Sequence, residues 1–228
     1  MQKIGIIVAM PEEIKEILIH LGNLEREENL FGVQFSYYKL DNKEIILAVG
    51  GIGIINASVT TTLLLQKGVE MIINCGLVGG LDDDLSRNEV VICKDIVHSD
   101  VDYVLLDNVA LGRYPDNETV ELICDKKLIS YVDKLTNGSV RKVRIASADK
   151  FVASYEGKKF LVDTFNAQIC DMESAAIKRV ADKMRVPALF IKLISDSADE
   201  GANDDFYKCK YCSIDGYKEL IKGVIENL

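Results

Sequence analysis

Two hydrophobic periodicities alternate along the chain of 228 residues, and together they predict an α/β fold. Nearly continuous apolar runs such as Lys3–Ala9 and Met71–Cys75 predict strands buried on both faces. Segments with a period of about 3.6 residues, which predict helices, stand between these runs. No repeat or proline-rich linker divides the chain, so residues 1–228 are expected to form one domain. We predict a three-layer sandwich with a twisted mixed β-sheet between helices.

The individual elements follow from these patterns and from the residues that punctuate them. Alternation on either side of Asp41–Asn42 predicts a hairpin with strands at Gly32–Leu40 and Lys43–Gly50. One amphipathic helix is predicted to begin at Pro11, and another is predicted to run from the glycines at 50–53 to about Gln66. Further strands are predicted at Glu89–His98, Lys142–Ser147, Gln168–Asp171 and Pro187–Ser195. Further helices are predicted at Lys127–Leu135, Tyr155–Phe165, Ser174–Met184 and Asp204–Glu226, with Leu105–Val120 left as the least regular stretch.

Composition and charge exclude several classes of partner. The net charge of −9 argues against nucleic-acid binding, which needs a basic face. No apolar run approaches the roughly 20 residues that span a bilayer, so no membrane partner is expected. The N-terminus lacks the cationic region and cleavage site of a signal peptide, which predicts a cytoplasmic protein.

The six cysteines could indicate disulfides or a zinc site. Cys209 and Cys212 form a C-x-x-C pair, but no second pair follows, and both His20 and His98 are distant in sequence. The other cysteines stand in apolar or mixed runs, where a free thiol behaves as a small buried hydrophobe. We therefore expect reduced structural thiols and no metal.

Two glycine-rich segments, Gly51–Gly53 and Gly76–Gly80, stand where predicted strands end. Ligands of open α/β sheets bind at the carboxyl ends of strands, and glycine lets them approach the backbone N–H groups. The alternative is that these glycines only turn the chain. Neither segment has the spacing of a dinucleotide or triphosphate motif, so no cofactor is expected.

Carboxylates follow three of the predicted strands: Glu12 and Glu13, Glu173, and Asp196. Any one of them could serve only as a helix cap. Parallel strands end at one edge of a sheet, however, so their side chains can converge in one crevice. Without a nucleophile–histidine pair or a metal cluster, such a site favours acid–base cleavage of a glycosidic bond.

The same residues give the chain a family resemblance. It resembles the methylthioadenosine/S-adenosylhomocysteine nucleosidases, which have the nucleoside phosphorylase-type fold. The match is collinear from Lys3 to about Tyr207. The motifs that carry it are Lys3–Glu13, Gly51–Gly53, Asn74–Leu81, Ser147–Val152, Asp171–Ala176 and Ile194–Asp199.

The resemblance implies a role for each site residue. Glu13 would activate the attacking water, and Asp196 would protonate the adenine at N7, which requires its pKa to lie above the usual value. Glu173 would bind the ribose hydroxyls. The resemblance also implies a homodimer and a purine nucleoside substrate. The other residues expected to bind substrate are Met10, Ile52, Gly79, Phe151, Val152, Met172 and Ser195.

Three positions depart from the family pattern. Leu77 stands where a small hydroxyl residue is common, and Lys192 stands where arginine is usual. Both would lie near the attacking water, and lysine lacks the bidentate fork of arginine. Tyr103–Leu106 replaces the small and aromatic residues of a segment that normally contributes to the dimer and to the 5′-substituent pocket.

Three alternatives stay open at the level of the sequence. A phosphorylase of the same fold would need cations around a phosphate, which Glu13 would repel. A nucleosidase for another 6-substituted purine conjugate, such as futalosine, would release a different base. A nucleoside-binding protein without activity would have no use for the three carboxylates together.

Overall fold

The computed structural model describes residues 1–210 and 215–227 and alternates strands with helices. The strands are β1 (Gln2–Val8), β2 (Asn23–Leu30), β3 (Val33–Leu40), β4 (Lys43–Val49), β5 (Met71–Gly80), β6 (Val90–His98), β7 (Leu122–Ile123), β8 (Arg141–Ser147), β9 (Ile169–Asp171) and β10 (Ala188–Asp196). The helices are α1 (Ile54–Gln66), α2 (Val104–Asp107), α3 (Lys126–Leu135), α4 (Tyr155–Phe165), α5 (Ser174–Met184), α6 (Ala202–Lys210) and α7 (Asp215–Asn227). Two short 3₁₀ turns lie at Pro11–Glu13 and Leu18–His20.

One mixed sheet contains all of these strands, and its two parts differ in shape. The part we call the wing consists of β1, β4, β3 and β2 in that order, with β2 at the free edge. The part we call the barrel is a closed ring in which β5 pairs with β9 and β10, and β6 and β8 complete the circle. Strand β1 joins the two parts through its parallel pairing with β5.

Helices cover both faces of the sheet, as the predicted three-layer arrangement requires. On one face, α1 and α5 contribute buried residues such as Leu64 and Ile177 to a core that includes Phe190. On the other face, α3 and α7 pack residues such as Val132 and Ile221 against the sheet. Because β1, β4, β5 and β10 are mutually parallel along the path β4–β1–β5–β10, their carboxyl ends lie at a common edge.

Two predicted elements were wrong in type. The helix expected from Pro11 is instead a pair of short 3₁₀ turns, and the buried Ile14 and Ile17 lie in the turn between them. Most backbone hydrogen bonds here join residues three apart, such as Ile17 N–H to the Ile14 carbonyl at 2.8 Å, so no continuous α-helix forms. The loop expected at Gly76–Gly80 is the second half of β5. Its pairing with β10 and β9 outweighs the weak strand propensity of glycine.

Two further differences concern strand β2 and the C-terminal helices. Strand β2 was not predicted, because as an exposed edge strand it has charged residues on both sides and no apolar alternation. The helix predicted over Asp204–Glu226 corresponds to α6 and α7. Cys212 and the rest of 211–214 lie outside the described residues. Within the described residues the cysteines are buried and form no disulfide bond. No helix in this part of the chain has the length and apolar character that crossing a membrane would need.

Candidate active site

A cavity of about 320 Å³ opens where the parallel strands end. Every site residue predicted from the sequence lies in its lining. The fold therefore brings the predicted residues together around one cavity, and the roles assigned to them stay predictions. The residues are Met10, Glu13, Ile52, Gly79, Phe151, Val152, Met172, Glu173, Ser195 and Asp196.

Glu13 is buried, and backbone N–H groups hold both of its carboxylate oxygens. Its Oε2 accepts hydrogen bonds from the N–H groups of Ala9 and Met10 at 2.8 and 2.9 Å, and its Oε1 accepts from the N–H of Leu77 at 3.0 Å. Burial raises the pKa of Glu13, against the opposing effect of these hydrogen bonds and of the Lys192 ammonium. A fixed, buried carboxylate with a raised pKa has the properties of a general base. Leu77 contributes through its backbone, so the absent hydroxyl does not disturb the hold on Glu13.

Glu173 reaches the same cavity from the loop between β9 and α5. Its Oε1 accepts a hydrogen bond of 2.9 Å from the N–H of Gly53, at the start of α1. Gly53 has φ of +100°, a conformation that a residue with a side chain rarely adopts, which explains the glycine at this position. Burial, together with the negative charges of Asp171 and Glu13, raises the pKa of Glu173 to about 8.

Asp196 and Ser195 owe their orientation to a bulge in β10. Ile194 pairs with Val78 and Asp196 pairs with Gly79, so Ser195 is an extra residue in the strand. A bulge re-aims the side chains next to it, and here both Ser195 and Asp196 face the cavity. The Oδ1 of Asp196 accepts from the N–H of Ala198 at 2.9 Å. Burial raises the pKa of Asp196, as predicted, against the hydrogen bonds from Ser195 and Ala198.

The hydroxyl of Ser195 can serve both protonation states of Asp196. Its Oγ lies 3.1 Å from the carbonyl oxygen of Val78 and 2.6 Å from Oδ2 of Asp196. The hydroxyl has a single proton, and a carbonyl oxygen can only accept. When Ser195 donates to Val78, a protonated Asp196 can donate to Oγ. When Asp196 is ionised, Ser195 can donate to it instead.

A buried ion pair next to the carboxylates is the feature that sequence reasoning missed. Nζ of Lys192 donates to Oδ1 of Asn74 at 2.5 Å and to Oδ2 of Asp171 at 2.9 Å, and both charged side chains are 1% exposed. Burial alone would raise the pKa of Asp171, but the Lys192 charge and the hydroxyls of Ser174 and Ser147 outweigh it and hold the pKa below its usual value. Asp171 directly precedes Met172–Glu173 in the recognised motif, and that adjacency was the available signal.

Lys192 also lies close to Glu13, although it is committed to Asp171. A β-carbon placed on Gly76 would be 3.2 Å from Oε1 of Glu13 and 3.4 Å from Nζ of Lys192, so the two groups approach this glycine together. Lys192 therefore supplies positive charge to a cluster rich in carboxylates. Among the described residues, no set of three or more histidine, cysteine or carboxylate side chains is arranged to hold a metal ion.

Aromatic residues form an outer wall of the cavity. Phe151 is half exposed and makes an edge-to-face contact with Phe206 of α6, with ring centroids 5.8 Å apart. Asn203 and Tyr207, also on α6, complete this wall and were not predicted. Asn203, Phe206 and Tyr207 lie near the end of the segment that resembles the family. Only the packing of α6 against β10 and β5 brings them to the cavity.

Comparison with known proteins agrees with this geometry. The family model of the phosphorylase superfamily matches residues 3–210. The chain belongs to the phosphorylase superfamily. An aminodeoxyfutalosine nucleosidase of Helicobacter pylori is 35% identical over the full length of both chains. A 5′-methylthioadenosine/S-adenosylhomocysteine nucleosidase of Shewanella loihica is 31% identical over 90% of each. Within the superfamily, the chain is thus a nucleosidase, an N-ribosyl hydrolase.

The nucleosidase also matches solved structures along its whole length. The H. pylori 5′-methylthioadenosine/S-adenosylhomocysteine nucleosidase with butyl-thio-DADMe-Immucillin-A has a TM-score of 0.94 and 35% identity, with 100% of this chain and 99% of that one covered. The futalosine hydrolase of H. pylori gives the same TM-score and identity, with 100% and 98% covered. A relative named for 5′-methylthioadenosine and S-adenosylhomocysteine and one named for futalosine therefore both match the fold of this chain over its whole length.

Proposed function

We propose that the protein hydrolyses the N-glycosidic bond of adenine thio-nucleosides, 5′-methylthioadenosine and S-adenosylhomocysteine, to release adenine. The observation that carries the proposal is the convergence of Glu13, Glu173 and Asp196 around one cavity with largely apolar walls. Burial raises the pKa of Glu13 and of Asp196, which is the direction that a carboxylate base and a carboxylic acid need for work near neutral pH. The cavity volume is within the range of small-molecule sites.

In the proposed reaction the bond between C1′ of the ribose and N9 of the purine breaks. Its electron pair goes to the base, which receives a proton at N7 from Asp196. The water oxygen bonds to C1′, and its proton goes to Glu13. Overall, Asp196 loses one proton and Glu13 gains one, so both must exchange protons with solvent before the next turnover.

Glu173 is proposed to bind the ribose hydroxyls. With a pKa of about 8, its carboxyl carries a proton at neutral pH and can both donate and accept hydrogen bonds. Since Gly53 already occupies Oε1, the other oxygen is the one directed to the substrate. Phe151 is proposed to stack on the purine and Val152 to contact its 6-amino edge.

The position of Lys192 opposes the phosphorylase alternative. A phosphate dianion would need a free cation, but Nζ of Lys192 is buried and donates to Asp171 and Asn74. Glu13 would repel the dianion as well. Phosphate should therefore leave the rate unchanged.

Futalosine-type nucleosides are the second candidate substrates, because the H. pylori aminodeoxyfutalosine nucleosidase matches this chain over its full length. The test is incubation with methylthioadenosine, S-adenosylhomocysteine, aminodeoxyfutalosine and futalosine in phosphate-free buffer. Free adenine and free hypoxanthine would be measured by chromatography. Highest kcat/KM for the thio-nucleosides is expected, whereas preference for a futalosine-type nucleoside would replace the proposed substrate. A requirement for phosphate would overturn hydrolysis.

Asp196→Asn offers a sharper test of the acid. An amide cannot deliver a proton to N7, so we expect kcat to fall by about 10²–10⁴-fold with little change in substrate binding. Asp199→Asn is the matched control, because Asp199 follows in the same segment and does not line the cavity. An Asp196→Asn enzyme with unchanged kcat would remove this residue from its proposed role.

We further propose a cytoplasmic homodimer. Leu105 and Leu106 of α2 are 101% and 76% exposed, and Ile55 on α1 is 74% exposed, which is unusual for large apolar side chains with no partner. The buried cysteines of the described residues form no disulfide bond, which fits a reducing compartment. Sedimentation should give twice the chain mass, and Leu105→Asp should weaken the dimer; a monomer at all concentrations would contradict it.

A further inference from the structure

A second and much smaller cavity adjoins the carboxylate cluster. Its volume is about 10 Å³, which is about the smallest that can hold one water molecule. We call it the inner chamber. The polar residues in its lining are Glu13, Thr60, Asn74, Glu173 and Lys192.

Thr60 is the unusual residue of the inner chamber. It is 0% exposed, and its Oγ1 has no hydrogen-bond partner among the described residues. The other hydroxyls of α1 behave differently: Ser58, Thr61 and Thr62 each donate to the carbonyl oxygen four residues earlier, at 2.7–2.8 Å. A buried hydroxyl without a partner is costly, so the exception at Thr60 calls for a ligand.

The direction of this hydroxyl is set by Gly50. A β-carbon on Gly50 would lie 1.8 Å from Oγ1 of Thr60, so the hydroxyl occupies space that any other residue at position 50 would fill. Gly50 is also in the lining of the inner chamber. The hydroxyl therefore faces the chamber instead of its own helix.

The remaining walls define the chemistry of the ligand. An ammonium group has three donors, and Lys192 uses two of them on Asn74 and Asp171. Glu13 and Glu173 offer acceptors. A cation would be repelled by Lys192, an anion by the carboxylates, and the volume admits nothing larger than water.

We propose that the inner chamber holds one buried water molecule bonded to Oγ1 of Thr60, to Nζ of Lys192 and to a carboxylate oxygen of Glu13 or Glu173. Three polar partners are typical of a structural water. This molecule is distinct from the water consumed by hydrolysis, which has to meet the nucleoside in the large cavity. It ties helix α1 to the carboxylate cluster.

Thr60→Val tests the site, because valine has the shape of threonine without the hydroxyl. With water in the chamber, a high-resolution crystal structure of the unaltered protein has density bonded to Oγ1, and the variant loses it. Removing that bond lowers the Tm by about 2–4 °C. If the chamber is dry, the unaltered protein has no density bonded to Oγ1. Thr60→Val then has an equal or higher Tm, since valine removes an unpaired hydroxyl. Either result would overturn the proposal.

Two further variants serve as controls. Thr60→Ser keeps the hydroxyl and is expected to keep the water. Thr61→Val makes the same substitution one residue away, at an equally buried position whose hydroxyl bonds within the helix. It should leave the chamber density intact, and loss of the density in this variant would contradict the assignment to Thr60.

The rate arm of the test rests on the proposed function. The titratable groups that face Glu13 are Lys192 on β10, Glu173 after β9, Cys75 on β5 and Tyr217 on α7. A water that donates to an ionised carboxylate favours the charged form. Thr60→Val should therefore move the acid limb of kcat/KM to higher pH, with about threefold less activity at the acid end. An unmoved limb would overturn the bond to the carboxylates, whereas absence of any base release would refute the proposed function and leave the crystallographic and thermal arms intact.

Discussion

The wing and the barrel place the same residue types in opposite environments. On the wing, Glu28 of β2 lies at the exposed edge, where a 2.5 Å ion pair with Lys67 and a hydrogen bond from Tyr37 hold its pKa below the usual value. At the barrel, burial raises the pKa values of Glu13 and Glu173. A surface pair adds little to stability because water already solvates both charges. Burial removes that solvation, and the carboxylates acquire proton affinities that suit catalysis.

The largest expected effect is on catalysis. Glu13→Gln removes the base that accepts the proton of the attacking water, and we expect kcat to fall by about 10²–10⁴-fold. Glu28→Gln on the wing should leave kcat within about twofold, because surface substitutions rarely act at a distance. Base release at saturating substrate measures both. Glu12→Gln controls for a local change, since this neighbour does not line the cavity. If kcat fell by a similar factor in all three variants, the distinction between the two regions would be contradicted.

The second effect is on stability. Lys192→Met leaves Asp171 buried without its partner, and the free energy of unfolding should fall by about 3–5 kcal/mol. Lys67→Met breaks the wing pair and should cost no more than about 1 kcal/mol. Urea unfolding measures both. The Lys192→Met, Asp171→Asn double variant should recover part of the loss, because no unpaired charge remains. Equal costs for the two lysines would contradict the distinction.

The smallest effect is a pH dependence with opposite signs in the two regions. The folded-state pKa of Glu173, about 8, exceeds its ordinary value near 4.5, so its contribution to stability is complete below that value and is lost as pH rises through about 8. Glu28 has a lowered pKa, and its contribution is lost on acidification. The free energy of unfolding should be measured from pH 4 to pH 9 for the unaltered protein and both variants. Compared with the unaltered protein, Glu173→Gln should lose less stability at the alkaline end, and Glu28→Gln should lose less at the acid end. An unchanged alkaline slope in Glu173→Gln would refute its raised pKa.

Much of the fold could be predicted from local sequence, and the residues that the family motifs nominated for the site do line one cavity. Helices such as Ser174–Met184 and Tyr155–Phe165 were predicted to the residue, because their amphipathic period and boundary residues are local signals. The second half of β5 and the edge strand β2 were not. A glycine-rich segment becomes a strand only when partners pair with it, and a polar edge has no apolar pattern to detect.

The sequence by itself determined the alternation of strands and helices and the placement of carboxylates after strands, since both are written in neighbouring residues. Tertiary structure alone decided that the sheet closes into a barrel, that Asp171 pairs with Lys192, and that the Thr60 hydroxyl faces a chamber. Each of these depends on residues distant in sequence, brought together by strand pairing and helix packing. Burial is a property of the assembled fold, and burial is what raises the pKa of each of the three carboxylates.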